Sequence, residues 1–206
     1  QFPIPNSQSP KPKAQSRIPR MRHAVIALLA GLLAVSGRQP ARYDLLLKNA
    51  VSTVRTIKTY GIPVVHSTVN VASGQGPTLP ELAGLLAEDK PLDRTTTNSW
   101  EDVEFVQAVH ATGRRKLIIC ALWTEICMAF AALDALREGY EVYPVVDAIG
   151  GTSPEAHRAG LDRVIQAGGQ PISWVSLAGE LLRDWARPQA AAIAEIVVTD
   201  RLSKEQ

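Results

Sequence analysis

Two cysteines stand seven residues apart in LIICALWTEICMAF (117–130), and their settings differ. Cys120 lies inside an unbroken apolar run, KLIICA, and reads as core. Cys127 follows a Trp-Thr-Glu-Ile turn at the point where the pattern changes to helical spacing, with Thr124 as the expected N-cap. This puts its sulfur in the first turn of a helix that directly follows a strand. Unpaired N–H groups at a helix start carry partial positive charge, so a thiolate is stabilised there. Such a thiolate is a nucleophile for a carbonyl carbon, and neighbouring backbone N–H groups are placed to hold the resulting oxyanion. The alternative reading of Cys127 is a buried cysteine on a helix face.

The elements that must position this thiol follow from periodicity. Pro40 opens a helix with Leu46, Leu47, Ala50, Val54 and Ile57 at helical spacing, and Gly61 stops it. IPVVHSTV (62–69) is β-branched and reads as a strand, and LPELAGLLAEDK (79–90) as a short helix. Ser99 with Asp102 resembles a shortened capping box ahead of a helix that ends at Gly113. KLIICA (116–121) reads as a strand buried on both faces, and 124–138 as the helix behind it. EVYPVV (141–146) reads as a strand, with Pro144 favouring a sheet edge. Ser153-Pro154 caps a further helix that ends near Gly168. PISWVS (171–176) reads as the last strand and 177–187 as its helix. Strands alternating with helices imply a three-layer α/β/α domain with a parallel central sheet. In such folds ligands bind at the carboxyl ends of the strands, where Cys127 falls.

With 206 residues and 46% hydrophobic composition, the chain can bury one substantial core. Two cysteines make no disulfide framework, which suits a reducing, cytoplasmic setting. A net charge of +2 gives no case for nucleic acid, and no apolar run reaches the roughly 18 residues of a membrane span. Residues 1–43 contain no Asp or Glu but two Lys and five Arg. We expect a disordered basic tail over 1–22, one catalytic-type domain over 23–188 and a C-terminal helix or tail over 189–206. An organelle transit peptide, or a secretory signal starting at Met21, is the less favoured reading of the N-terminal stretch.

The segment LIICALWTEICMAFAALDALREGYEVYPVVDAIGGTSPEAHRAGLDRVIQAGGQPISWVSLAGELLRDW, with RTTTNSWEDVEFVQAVHATGRRK ahead of it, resembles the isochorismatase-like cysteine hydrolases, in particular their YcaC-like branch. The likeness extends more weakly back to about residue 24. The T-E-x-C element, the apolar helix after it and the VxDA strand end carry most of the likeness. The resemblance implies a Cys–Asp–Lys/Arg triad acting on a small amide-like substrate. On this chain Cys127 would be the nucleophile and Arg94 the cationic member. A cis peptide at Leu122–Trp123 is implied too, with the backbone N–H groups of Trp123 and Cys127 as oxyanion donors.

One member of that triad is missing. The family's Asp ends the first strand, in a stretch resembling VLLVDHQ-x-GLL, whereas this chain reads AVIALLAGLLAVSG. Gly31-Leu32-Leu33 is present but no acid precedes it. Glu125 is the nearest acid to Cys127 in sequence and is expected to point elsewhere. Proton transfer by such a base typically contributes 10²–10⁴-fold, so an impaired hydrolase is expected. The alternative is a non-catalytic relative kept as an oligomeric or binding scaffold.

The remaining candidates are weaker. Trp100 and Trp123 either wall a small apolar pocket or pack beside core strands, and Trp100 and Thr124 are the residues assigned to a substrate pocket. His23, His66, His110 and His157 show no ligand spacing, and VVHSTVN offers one His where the nicotinamidases of this superfamily need several, so no metal is expected. His157 is expected to be structural. No phosphate-cradling glycine motif appears. The expected partners are a small-molecule substrate and further copies of the chain, without nucleic acid, membrane or cofactor.

Overall fold

A computed structural model describes residues 23–28, 40–73 and 75–202 of the chain. The basic tail and the Gly31-Leu32-Leu33 segment lie outside the described residues. Five strands form one parallel sheet: β1 (His23–Leu28), β2 (Val64–Val69), β3 (Leu92–Arg94), β4 (Lys116–Ala121) and β5 (Glu141–Pro144). Their spatial order is β3-β2-β1-β4-β5. The chain therefore builds outward from β1 in one direction and then returns to its other side with β4. This reversal is the topological switch point, where the carboxyl ends of β1 and β4 open a crevice.

The register explains how β4 can be apolar throughout. Ile118 and Cys120 face one core, shared with Ala50, Val54 and Ile57 of α1 (Pro40–Thr59). The same core includes Leu177, Leu181 and Leu182 of α6 (Trp174–Leu182) and Ile193 and Ile196 of α7 (Ala190–Leu202). Leu117, Ile119 and Ala121 face a second core with Phe105 and Val109 of α3 (Val103–Ala111). Ala131, Ala132 and Ala135 of α4 (Ala129–Arg137) and Val164 of α5 (Pro154–Gln166) complete it. Successive residues of a strand point to opposite faces, so a strand covered on both sides has no polar position to spare.

Several expected elements differ in detail. The helix expected over 79–90 is one turn, α2 (Pro80–Ala83), followed by turns. Gly84 is a poor helix former, and Asp89 is drawn away from helical pairing: its carbonyl accepts from the His66 ring and its carboxylate pairs with Lys58. The capping box at Ser99 resolves into two caps. Asn98 caps a 3₁₀ turn, Ser99–Glu101, while the Asp102 carboxylate accepts from Phe105 N–H at 2.9 Å and starts α3. The strand expected over 171–176 is reduced to a single bridge, Ile172 to Val145. Trp174 N–H donates to Asp147 Oδ1 at 2.9 Å and the Ser173 hydroxyl accepts from Ser176 N–H, so the chain turns into α6 there. β5 ends at Pro144 on the sheet edge, as proline favours. The strand β3 carries no signal that periodicity could read, being three residues long.

Candidate active site

β4 delivers the chain to the switch point at Ala121, and the next peptide, Leu122–Trp123, is cis. Leu122 bridges to Gly150, and Thr124 N–H donates to the Gly150 carbonyl at 2.8 Å. The turn that follows, Thr124–Met128, is π-helical. Met128 N–H reaches back five residues to the Trp123 carbonyl at 3.2 Å. Such π turns are rare and recur at functional sites. Thr124 is thus not the N-cap that its position suggests. Its hydroxyl is engaged by His157 Nδ1 at 2.7 Å, and the residue is fully buried.

Cys127 lies on this turn, 9% exposed. Cys120 is more deeply enclosed; burial first, and then the charge of Asp147, push its thiol up to about 12, against an opposing hydrogen bond with Thr53. The two cysteines therefore differ in setting: Cys120 lies within the core, and Cys127, also buried, lies on the turn beyond the carboxyl end of β4.

Arg94, the last residue of β3, is 2% exposed. Its Nε donates to Ser67 Oγ at 3.1 Å and its Nη1 to the Thr96 carbonyl. The guanidinium thus lies against β2, held between Ser67 and the chain just after β3. The structure brings Arg94 and Cys127 to the same carboxyl edge of the sheet, and the described hydrogen bonds of Arg94 go to Ser67 and Thr96. Trp123 N–H is not spent on any hydrogen bond among the described residues.

Trp100 is not brought to this edge. Its Nε1 donates to Glu138 Oε1 at 2.7 Å, and its ring packs edge-on against Tyr140 and Phe105. Glu138 lies just past the far end of α4, roughly 16 Å along the helix from Cys127 at 1.5 Å per residue. Trp100 is a packing residue at the opposite end of the sheet. Glu125 also turns away from the sulfur: its Oε1 accepts from Thr152 N–H at 3.0 Å and from Thr152 Oγ1 at 2.6 Å. Burial opposes ionisation of this carboxyl, but the Thr152 bonds outweigh it and hold the group below its usual range.

The features that sequence reasoning missed are those that clamp the turn. His157 on α5 holds Thr124, and Thr152 holds Glu125. Gly160, inside α5, lies so close that a β-carbon there would stand 2.8 Å from Glu125 Cα. A glycine within a helical pattern signals such close approach, but not which segment approaches. His66 is likewise structural: Nδ1 meets the Asp89 carbonyl at 3.2 Å and Nε2 meets Thr78 Oγ1 at 2.8 Å. Among the described residues no cluster of three His, Cys, Asp or Glu could hold a metal ion, and no helix is long and apolar enough to cross a membrane.

The Isochorismatase domain model matches residues 25–176. The chain belongs to the isochorismatase family. Within it, the probable hydrolase YcaC of Escherichia coli is 35% identical over 158 residues, covering 76% of this chain and 74% of YcaC. The crystal structure of that protein, described as an octameric hydrolase of unknown specificity, superposes with a TM-score of 0.80 at 32% identity over 95% of this chain and 97% of the other. YcaC from Pseudomonas aeruginosa, solved with hexane-2,5-diol and covalent acrylamide, gives a TM-score of 0.76 at 30% identity over 90% and 97%. The chain is thus a YcaC-like member of the isochorismatase family with that family's α/β fold.

Proposed function

We propose that this isochorismatase-family chain is a cysteine hydrolase of a small amide-like substrate, with Cys127 as nucleophile and Arg94 as its cationic partner. The observation that carries the reading is the placement of Cys127 on a π turn at the switch point, on the edge to which Arg94 brings a buried positive charge. The covalently bound acrylamide in the P. aeruginosa relative adds support, since acrylamide alkylates nucleophilic thiolates.

The chemistry runs in two halves. The Cys127 thiolate adds to the substrate carbonyl carbon, forming a C–S bond while the carbonyl π pair moves to oxygen. The backbone N–H groups of Trp123 and Cys127 stabilise that oxyanion. Its collapse re-forms the C=O bond and expels the amine, which takes up a proton. Water then attacks the thioester, the carboxylic acid leaves and the thiolate is restored. Arg94 keeps its charge throughout, so its role is electrostatic and it cannot serve as the base. Residues 1–43 provide no acid to carry the protons, so turnover is slow compared with a complete triad.

Like the octameric E. coli protein, the chain is proposed to assemble as a homo-oligomer. The test is hydrolysis of a panel of small primary amides by the wild type and by Cys127→Ala. Ammonia release that disappears in the variant supports the reading. Equal release by both proteins, or none with any amide, would leave the binding scaffold as the better account.

A further inference from the structure

Glu125 stands two residues before Cys127 and takes no part in the proton transfers described above. Its carboxylate is engaged by another segment. Oε1 accepts from Thr152 N–H at 3.0 Å and from Thr152 Oγ1 at 2.6 Å, and Oε2 is buried without a hydrogen-bond partner among the described residues. Backbone closes around the residue: a β-carbon on Gly151 would stand 2.8 Å from Oε2, and one on Gly160 would stand 2.8 Å from Glu125 Cα. Desolvating a carboxylate oxygen is costly, and what offsets the cost here is a charge-assisted anchor between the Cys127 turn and the loop after β5.

That anchor bears on the direction of the amides. Thr124 N–H donates to the Gly150 carbonyl at 2.8 Å, and Trp123 is extended, with φ −108° and ψ 152°. Successive N–H groups of an extended chain point to opposite sides, so Trp123 N–H is directed away from Gly150. The Trp123 carbonyl accepts from both Ile126 N–H and Met128 N–H at 3.2 Å, which ties its peptide to the turn that carries Cys127. These directions hold while residues 124 and 125 stay seated on 150–160. Thr124 is seated by its N–H and hydroxyl. Glu125 is seated by its carboxylate, and it is the contact nearer Cys127.

We infer that Glu125 is a positioning residue: by tying the turn to Thr152, it aims the Trp123 and Cys127 N–H groups at the oxyanion. The inference rests on the hydrolase reading and names a further residue of the same site. It also divides the labour of the site. Arg94 favours the thiolate, whereas Glu125 acts on the amides that receive the charge formed once the thiolate has attacked.

Two probes separate those tasks. p-Nitrophenyl acetate is attacked at its carbonyl carbon: the C–S bond forms, the π pair moves to oxygen, and collapse of that oxyanion expels p-nitrophenolate. Iodoacetamide is attacked at a saturated carbon and loses iodide, with no oxyanion on the path. Both reactions need the thiolate, so a change in its population cancels in the ratio of acylation to alkylation at Cys127. Glu125→Ala should lower that ratio about tenfold, short of the 10²–10³ that outright loss of an oxyanion donor costs. Thr152→Val keeps the N–H bond but not the hydroxyl, and should lower the ratio about threefold. Glu125→Gln retains an acceptor oxygen for both Thr152 bonds and should recover most of what Glu125→Ala loses. An unchanged ratio in Glu125→Ala, or in Thr152→Val if the alanine variant does not fold, would overturn the inference and leave the hydrolase reading intact. A fall in Glu125→Gln as deep as in Glu125→Ala would overturn it too, since charge and not the anchor would then matter. Wild-type Cys127 that is alkylated but never acylated would remove the hydrolase reading and this inference with it.

Discussion

Thr124 Oγ1 and His157 Nδ1 lie 2.7 Å apart, joining the first residue of the Cys127 turn to the first turn of α5. Thr124 is fully buried, so the imidazole is the partner that satisfies its hydroxyl. Together with the Thr152–Glu125 bonds, this contact fixes the π turn to the loop and helix that follow β5.

Removing the imidazole should therefore be costly. His157→Ala leaves a buried hydroxyl without a partner, a loss of about 1–3 kcal/mol. Urea denaturation should show that loss, and Cys127 should label more slowly because its turn is no longer held. An unchanged midpoint would show that water replaces the ring at no cost.

Buried His66 and half-buried His157 make stability depend on pH. Burial lowers the pKa of His157, partly offset by the nearby charge of Glu125. Burial also lowers that of His66, with the Asp89 carbonyl and carboxylate opposing. A depressed pKa means that the unfolded chain binds the proton more readily. These residues thus contribute their full stability above the unfolded value of about 6.5 and lose it as pH falls from there through the folded values. Tm should be flat above neutrality and fall in the window that opens below about pH 6.5. A flat profile across that window would refute the assignment.

Gly160 offers a test of how tightly α5 is seated. The β-carbon of Gly160→Ala would meet Glu125 Cα at 2.8 Å and Glu125 N at 2.9 Å, backbone that has no rotamer to give. We expect destabilisation of about 1–3 kcal/mol. At Gly179, in α6, a β-carbon would meet nothing within 4 Å, so Gly179→Ala should stabilise by about 0.5–1 kcal/mol. Opposite signs at two helical glycines would separate close packing from helix propensity.

The missing base can be approached from the register. Leu28 closes β1 and pairs with Ala121, the last residue of β4. Leu28→Asp would place a carboxylate at the end of the first strand, where the family resemblance implies one. If proton transfer limits turnover, kcat/KM on a responsive amide should rise, by up to the 10²-fold that a general base commonly contributes.

How much of this was legible in the sequence depends on where the determining contact lies. β4 was legible to the residue because a continuous apolar run needs only its own pattern. The start of α5 was legible because Ser153 and Pro154 are local signals, and the Ser153 hydroxyl does accept from Ala156 N–H. PISWVS misleads because its β-branched and aromatic residues suit a strand, whereas Asp147, 27 residues earlier, captures Trp174 N–H and starts a helix. Residue type and proximity in sequence group Trp100 with Arg94, and its contacts with Glu138 and Tyr140 show instead that the ring lies beside the far end of α4. Cys127 was legible from strand, turn and helix order. Arg94 was legible through resemblance alone, and its orphaned Nη2 could not be read from sequence, since satisfaction of a buried donor is a property of three dimensions.

The central claim is that Cys127, and not Cys120, is a reactive nucleophile. Iodoacetamide labelling at pH 7, with both cysteines quantified in the same digest and glutathione as a free-thiol standard, tests it most directly. We expect Cys127 to label faster than glutathione, Cys120 to remain unlabelled, and Arg94→Gln to slow Cys127 without unmasking Cys120. Labelling of Cys127 no faster than the free thiol, or unaffected by loss of the guanidinium, would contradict the account and leave the fold as a scaffold.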